Sequence, residues 1–238
     1  MTKETTMPDY ATVTADYTRL MTKHFTKGRG ASKIRFVTRH HNAGISTTDQ
    51  TWQTWQRREA SAHYQIEVSG RVGQLVYDAD TAWANGDVAA NASAIAIEHS
   101  NCGGAEQDWP IADATIVAGA KWAAALCVFY ELGRPEYGKN IRDHKNFYGT
   151  GCPWHLAADH EGRPGKYHAR WMQVAQDHYD SMTRGTPTVS TPNLLQEIWD
   201  QLRGPNGKGW PQLGGRTIVD SLAEVHAKLD TLIKGMGK

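Results

Sequence analysis

The chain has 238 residues, 39% of them hydrophobic and 21% charged, which is enough for one medium domain with its own core and a small appendage. Its 26 Lys and Arg nearly balance 25 Asp and Glu, so charge gives no reason to expect binding to nucleic acid or to an anionic membrane. No apolar stretch approaches the roughly 20 residues that span a bilayer, and residues 1–10 lack the basic and then apolar pattern of a signal peptide. We therefore expect the chain to be made and folded in a cytoplasm, without membrane insertion.

The first part of the chain predicts an arm, a strand and a helix. Residues 1–32 are polar without a clear period, and we expect them to lie as an arm on the domain. The short β-branched run 33–39 predicts a strand that ends at His40 and His41. Thr47 and the two residues after it are typical of a helix N-cap, and this helix is expected to end at residue 57 or 58.

The middle of the chain alternates predicted strands and helices, as in an α/β domain. The predicted elements are a hairpin of 63–68 and 73–77, a buried strand at 94–99, a helix at 111–132, a short strand at 140–142 and a helix at 165–184. Gly133 and Pro135 are typical stop signals after the longest of these helices. We expect functional side chains at the polar end of the buried strand and at His144, directly after the short one.

Composition shifts at 185–192, a Pro, Ser and Thr segment that is typical of a linker. It separates a domain of residues 1–184 from a helical C-terminal segment of residues 193–238. In that segment apolar residues recur with the heptad spacing four, three, four and three, at Ile218, Leu222, Val225, Leu229 and Leu232. The stripe predicts a homodimer formed through residues 216–234, and packing on the first domain is the alternative.

Two histidines and one cysteine form a candidate metal site. His144 and Cys152 lie eight residues apart, with a Pro after the cysteine, and His40 stands at the predicted strand end. Two imidazoles and one thiolate are a tetrahedral Zn²⁺ set with one position left for water, as in catalytic zinc sites. The sequence alone leaves rival ligands open, namely His63, His99, His155 and Cys102. A fourth protein ligand, such as His155 or Cys102, would indicate a structural zinc instead.

Four segments taken together resemble a known family. They are the His40-His41 pair and residues 61–64, 95–98 and 143–153. In this order they resemble the type 2 N-acetylmuramoyl-L-alanine amidases, whose fold is shared by phage endolysins and peptidoglycan recognition proteins, and the likeness runs from about Ile34 to Cys152. The resemblance implies a mixed central β-sheet flanked by helices. It also implies zinc-dependent hydrolysis of the amide bond between N-acetylmuramic acid and L-alanine in bacterial peptidoglycan.

The resemblance also assigns roles to single residues. Its pattern gives the metal to His40 and leaves His41 to contact substrate or to support a ligand. Glu98 closes an apolar strand, where partial burial suits proton transfer. It matches a catalytic Glu of some relatives, and a structural salt bridge is the alternative. Other relatives use a Tyr where this chain has Ala62. Thr150 stands where some amidases place an oxyanion-stabilising Lys, so a hydroxyl is expected to donate there.

Two further side chains are expected near the substrate. Trp83 lies where related enzymes read Ala-Trp-His, and we expect it to pack against sugar or peptide, with core packing as the alternative. His63 is expected to line the cleft rather than to bind the metal.

The expected role is that of a phage endolysin, present in the cytoplasm of a Gram-positive or mycolate-bearing host before release and acting on the cell wall afterwards. A non-catalytic peptidoglycan-binding module and a zinc peptidase that cuts within the stem peptide are the alternatives. Lysins commonly append a wall-binding module, so cell-wall binding is a further candidate role for residues 193–238.

Overall fold

The computed structural model describes residues 8–183, 199–204 and 207–236. The chain forms two compact units, Met1–Arg184 and Gly185–Lys238. The predicted linker at 185–192 and the residues that directly follow it lie outside the described residues.

A mixed six-stranded sheet forms the centre of the first unit and confirms the predicted fold class. The strands in chain order are β1 (Tyr17–Thr18), β2 (Phe25–Thr26), β3 (Phe36–His41), β4 (Tyr64–Ile66), β5 (Val72–Gln74), β6 (Thr81–Ala82), β7 (Ala94–His99) and β8 (Ile141–Asp143). The sheet has the order β1-β5-β4-β7-β3-β8. β3 runs parallel to both of its neighbours, β4 is parallel to β7, and β4 and β5 form the predicted antiparallel hairpin.

The N-terminal arm contains two strands that the sequence did not predict. β1 lies at the edge of the main sheet, parallel to β5, and β2 pairs with β6 in a separate antiparallel sheet. A strand of two residues is too short to show a period, and both partners lie far along the chain. A local pattern therefore could not reveal either pairing.

Helices cover both faces of the sheet. They are α1 (Thr48–Trp55), α2 (Val88–Ser93), α3 (Asp113–Phe129) and α4 (His168–Thr183). Thr47 caps α1 as predicted, and its side chain accepts a hydrogen bond from the backbone N–H of Gln50. Ile95 and Ile97 of β7 pack into the larger core with α3 and α4, whereas Ala96 packs into a smaller core with α1. Alternate residues of β7 therefore face opposite layers.

The close packing of α3 on β7 depends on Gly119. A Cβ atom at this position would overlap the imidazole of His99, so only glycine lets the helix approach the end of the strand. Trp171 of α4 then donates its indole N–H to Nε2 of His99 at 3.1 Å. These contacts fix the end of β7, where Glu98 also lies.

The second unit contains one long described helix, α5 (Ile218–Met236), which confirms the predicted C-terminal helical region. Residues 199–203 are also helical. α5 presents apolar side chains that are between 50% and 64% exposed, at Val219, Leu222, Val225, Leu229, Leu232 and Ile233.

Candidate metal centre and its cleft

The candidate ligands meet at the carboxyl end of the parallel strands. His40 lies near the end of β3, and His144 directly follows β8. Glu98 of β7 is the register partner of His40. Crevices at the carboxyl ends of parallel strands commonly hold the functional groups of α/β proteins. The sheet therefore brings side chains from three strands to one edge.

The donor atoms of His40, His144 and Cys152 all lie within 4.8 Å of one another. Nδ1 of His40 is 3.9 Å from Sγ of Cys152, and the two imidazole centroids are 4.6 Å apart. Two donors on one tetrahedral zinc ion are about 3.5 Å apart at the usual bond lengths. The three side chains could thus hold a single ion after moving closer together, and no fourth His, Cys, Asp or Glu among the described residues belongs to the group.

Neighbouring groups orient two of these ligands. Nε2 of His40 lies 3.2 Å from Oδ1 of Asn85, which accepts the ring N–H and leaves Nδ1 toward the cysteine. The backbone N–H of His41 donates to Sγ of Cys152 at 3.4 Å. Burial, and next the nearby His144, holds the pKa of His40 well below its usual value, so the ring is neutral, as a metal ligand must be.

His63 lies outside the cleft, which argues against its predicted contact with substrate. Its side chain is 1% exposed, and Nδ1 accepts a hydrogen bond from the backbone N–H of Ala96. Nε2 faces the carbonyl of Asp80 at 3.2 Å and the guanidinium of Arg29 at 2.8 Å. Burial, and next Arg29, lowers the pKa of His63 to about 3. The position of His63 is therefore that of a buried histidine between β4 and its neighbours.

The other rival ligands also lie away from the metal group. Nδ1 of His99 contacts the carbonyl of His40 at 2.8 Å, and the ring lies on the side of the sheet that α3 and α4 cover. Nε2 of His155 contacts the carboxylate of Asp108 at 2.7 Å. Cys102 is exposed. Among the residues that the structure describes, the one group with metal-ligating geometry is His40, His144 and Cys152.

A cleft of about 560 Å³ opens over this group. The predicted site residues His41, Trp83, Glu98 and Thr150 line it together with the three candidate ligands. Its wall also contains residues that the sequence did not single out, namely Trp55, Arg58, Trp109 and Trp154. These three tryptophans lie in α1, in the loop before α3 and in the short turn after Cys152, so no local motif marks them as a group.

Glu98 offers a carboxyl group beside the candidate ligands. Its Oε2 atom is buried and has no hydrogen-bond partner among the described residues. Burial raises the pKa of Glu98 to about 8, against the opposing charge of Arg58. A carboxyl group with a raised pKa can both take and give a proton near neutral pH.

Thr150 and Trp83 both line the cleft. The hydroxyl oxygen of Thr150 accepts a hydrogen bond from the backbone N–H of Cys152 at 3.2 Å, and its own hydrogen remains available for donation. Trp83 is 38% exposed, and its indole N–H donates to Oγ1 of Thr26 at 2.9 Å. Trp83 thus presents part of its ring to the cleft and is held by β2.

Asp108 contacts two residues at one rim of the cleft, Trp154 and His155. Its carboxylate accepts from the indole N–H of Trp154 at 2.9 Å and contacts His155 through its second oxygen. Trp109, the next residue, faces His41 with ring centroids 6.1 Å apart. These contacts place two tryptophans at one rim, and they give His155 a role in holding the rim.

No helix among residues 8–183, 199–204 and 207–236 combines the length and apolar character needed to cross a membrane.

Comparisons with known proteins agree with this geometry. The sequence pattern of the family described as N-acetylmuramoyl-L-alanine amidase matches residues 30–155, just over half of the chain. A second pattern, described as the Rv3766 C-terminal domain, matches residues 176–232. The uncharacterized protein Rv3766 of Mycobacterium tuberculosis is 61% identical over 33 residues, which are 14% of this chain and 12% of that protein. The chain therefore matches only a small part of the length of that curated relative.

Three solved structures show the same fold at low sequence identity. The structure of PlyL has 17% identity and a TM-score of 0.53, and the match covers 67% of this chain and 96% of that one. The Staphylococcus aureus hydrolase AmiA in complex with its ligand has 15% identity and a TM-score of 0.52, with 72% and 86% covered. The PlyG catalytic domain has 18% identity and a TM-score of 0.52, with 71% and 96% covered. By the family pattern that spans five of the six strands of the main sheet and all three candidate ligands, the chain belongs to the N-acetylmuramoyl-L-alanine amidase family.

Proposed function

We propose that the first unit is a zinc hydrolase that cuts the amide bond between N-acetylmuramic acid and L-alanine in bacterial peptidoglycan. The observation that carries this proposal is the group of His40, His144 and Cys152, with donor atoms within 4.8 Å of one another beside Glu98 in an open cleft. Two neutral imidazoles and a thiolate suit zinc, and three protein ligands are typical of a catalytic zinc site.

The residues around the metal position supply the acid-base and orienting groups. When bound, zinc supplies Lewis-acid polarisation of the amide carbonyl and makes water acidic enough to react near neutral pH. The carboxyl group of Glu98, which lines the cleft, would take a proton from the attacking water and pass it to the departing amine. The hydroxyl of Thr150 donates a hydrogen bond toward the developing oxyanion. A neutral hydroxyl stabilises an oxyanion less than the charged Lys that some relatives have at this position.

The walls of the cleft suit a glycopeptide. Trp83, Trp109 and Trp154 line it with large flat side chains, and Arg58 is the one Lys or Arg among the described residues of the lining. Aromatic rings pack well on sugar and peptide surfaces, and a guanidinium binds carboxylates such as those of the stem peptide. These groups support peptidoglycan as the substrate.

Two alternative functions can be distinguished from the proposed amidase activity, one by the composition of the site and the other by its reaction products. A non-catalytic binding module has no use for a complete set of three metal ligands and a carboxyl group, and this chain has both. A zinc peptidase that cuts within the stem peptide would use the same chemistry on another bond. Digestion of purified peptidoglycan separates the two, because amidase activity releases new N-terminal L-alanine and leaves the peptide bonds intact. New amino termini inside the stem peptide would replace the amidase proposal with the peptidase.

The biological role that we propose is that of a phage endolysin, held in the host cytoplasm until release and then acting on the wall. Support comes from the family membership and from the second unit appended to the amidase domain, an arrangement common among lysins. Expression inside a bacterium should be harmless until the membrane is permeabilised, after which the culture should clear. Clearing without permeabilisation would indicate another route to the wall.

The second unit is proposed to form a homodimer through residues 216–234. Exposed apolar side chains recur along α5 with heptad spacing, and such stripes are buried by pairing with another helix. Binding of wall polymer by this unit is the second candidate. If the unit dimerises, charge placed in the stripe should lower the solution mass. If the unit binds wall polymer, the same charge should lower the affinity for the wall.

A further inference from the structure

A buried ion pair lies directly behind the candidate metal ligands. Nη2 and Nε of Arg39 lie 2.7 Å and 2.9 Å from Oδ1 of Asp143. Both side chains are fully buried, which holds for no other ion pair among the described residues. The pair therefore takes two charges out of water inside the core of the first unit.

Each partner immediately precedes a metal ligand. Arg39 is followed by His40 in β3, and Asp143, the last residue of β8, is followed by His144. Arg39 and Asp143 are register partners across the two parallel strands. Because neighbouring residues of a strand point to opposite faces, Arg39 lies on the face covered by α3 and α4, whereas His40 reaches the cleft on the other face. The ion pair thus joins the two strand ends on the face opposite the cleft.

The same carboxylate also holds the segment that follows the third ligand. Oδ2 of Asp143 accepts a hydrogen bond from the backbone N–H of Ala158 at 2.8 Å, six residues after Cys152. On the other partner, Nη2 of Arg39 contacts Nδ1 of His168 at 3.1 Å, and its guanidinium lies 4.8 Å from the ring centroid of Trp171. One ion pair is therefore connected to β3, which contains His40, to the end of β8, which precedes His144, and to the loop that follows Cys152.

Stability alone does not account for such a pair. A buried ion pair is often neutral or unfavourable compared with apolar residues of similar size, because both charges lose their hydration. Nη1 of Arg39 is moreover buried without a hydrogen-bond partner among the described residues. The contacts of the pair therefore do not fully replace the hydration that the guanidinium loses. What an ion pair does provide, and apolar side chains do not, is a fixed direction and distance between two backbones.

We propose that Arg39 and Asp143 are positioning residues that hold His40 and His144 at the separation a metal ion needs. The proposal rests on the zinc site proposed above. Supporting groups behind metal ligands typically change metal affinity by about 10–100-fold when they are replaced. We expect the same range here, with an effect on the metal that is separate from any effect on folding.

The test compares zinc binding by full-length variants, measured by competition with a chromogenic chelator. Arg39→Met combined with Asp143→Leu removes both charges together, so that no lone charge stays buried. Arg170→Met combined with Asp113→Leu is the matched control, since it removes an ion pair whose side chains are 54% and 66% exposed. We expect the first variant to bind Zn²⁺ about 10–100-fold more weakly than the parent and the control to be unchanged.

A second measurement separates positioning from folding. Co²⁺ absorption reports ligand geometry, and we expect the buried double variant to lose the intense bands of a tetrahedral site while its helical circular dichroism is retained. If that variant does not fold, Arg39→Gln combined with Asp143→Asn, which also leaves no buried charge and keeps an acceptor for Ala158, takes its place with the same expectation. Parent-like Zn²⁺ affinity and Co²⁺ bands in a folded variant would overturn the positioning role. Failure of the parent to bind zinc would instead overturn the proposed function.

Discussion

His40 and Glu98 are register partners on the adjacent parallel strands β3 and β7. Register partners in a sheet point to the same face, so the first candidate ligand and the carboxyl group of the cleft begin from neighbouring backbone positions. Their relative placement is therefore set by the sheet rather than by a loop. A carboxyl group and a metal position that share one rigid element are well suited to act on the same substrate bond.

Glu98→Gln should keep zinc and lose activity. The amide retains the shape of the side chain but cannot take up or deliver a proton, and general acid-base catalysis is typically worth about 10²–10⁴-fold. We expect kcat/KM on purified peptidoglycan to fall within that range while zinc content stays at the parent level. Glu59→Gln, at an exposed position outside the cleft, serves as the control. Full activity in Glu98→Gln would leave Glu98 with a structural role only.

Cys152→Ala should lose metal and activity together. Removal of the thiolate leaves two imidazoles, which bind zinc far more weakly than the set of three. Metal content by mass spectrometry and wall lysis should both fall to the level of the chelator-treated parent. Cys102→Ala, an exposed cysteine outside the metal group, should match the parent in both measurements. Retention of zinc by Cys152→Ala would remove this residue from the ligand set.

The apo-protein should become less stable as the pH falls below about 6.5. Burial is the main cause that lowers the pKa of His63 and of His99 from 6.5 to about 3. Between these values the unfolded chain binds protons that the folded chain does not, so the free energy of unfolding decreases by about 1.4 kcal/mol per pH unit for each residue. Above pH 6.5 neither state is protonated at these positions, and the effect ends.

Urea denaturation in the presence of a chelator measures this slope without a contribution from metal loss. We expect a steady decrease in stability from pH 6.5 to pH 4.5, and a smaller slope for His63→Gln than for the parent. The raised pKa of Glu98 opposes this slope equally in both proteins, so the difference between them is the test. An equal slope for the parent and for His63→Gln would show that His63 is protonated in the folded state as readily as in the unfolded one.

Charge placed in the apolar stripe of α5 should dissociate the proposed dimer. Leu222→Glu combined with Leu229→Glu introduces like charges at two positions that are now apolar and exposed, and such charges oppose helix pairing. Sedimentation should report a dimer for the parent and a monomer for this variant. Ala227→Glu adds charge away from the heptad positions and should leave the mass unchanged. A monomeric parent, or a variant that loses affinity for purified walls instead, would favour wall binding by this unit.

The sequence allowed the long elements and the ligand set to be predicted, and the reasons are physical. β7 was predicted with its observed bounds because a buried strand is a continuous apolar run. The group of His40, His144 and Cys152 could be proposed because a cysteine eight residues after a histidine and a histidine at a strand end match a family pattern. Both signals are local in the chain.

The features that the sequence did not reveal depend on long-range contacts. No local sequence pattern distinguishes Asn85, which orients His40, because the two residues lie far apart in the chain. The same is true of the ion pair between Arg39 and Asp143. His63 resembled a cleft residue because a histidine in an apolar strand can serve either a site or a core. Only the tertiary structure shows that it is buried and does not line the cleft.

X-ray absorption spectroscopy of the zinc-loaded protein tests the central claim most directly, because it counts the atoms bound to the metal. One zinc per chain should show two imidazole nitrogens at about 2.0 Å, one sulfur at about 2.3 Å and one further light atom from solvent. Zinc bound by two sulfurs, by three imidazoles or without sulfur would contradict a site made of His40, His144 and Cys152 with one position open to water.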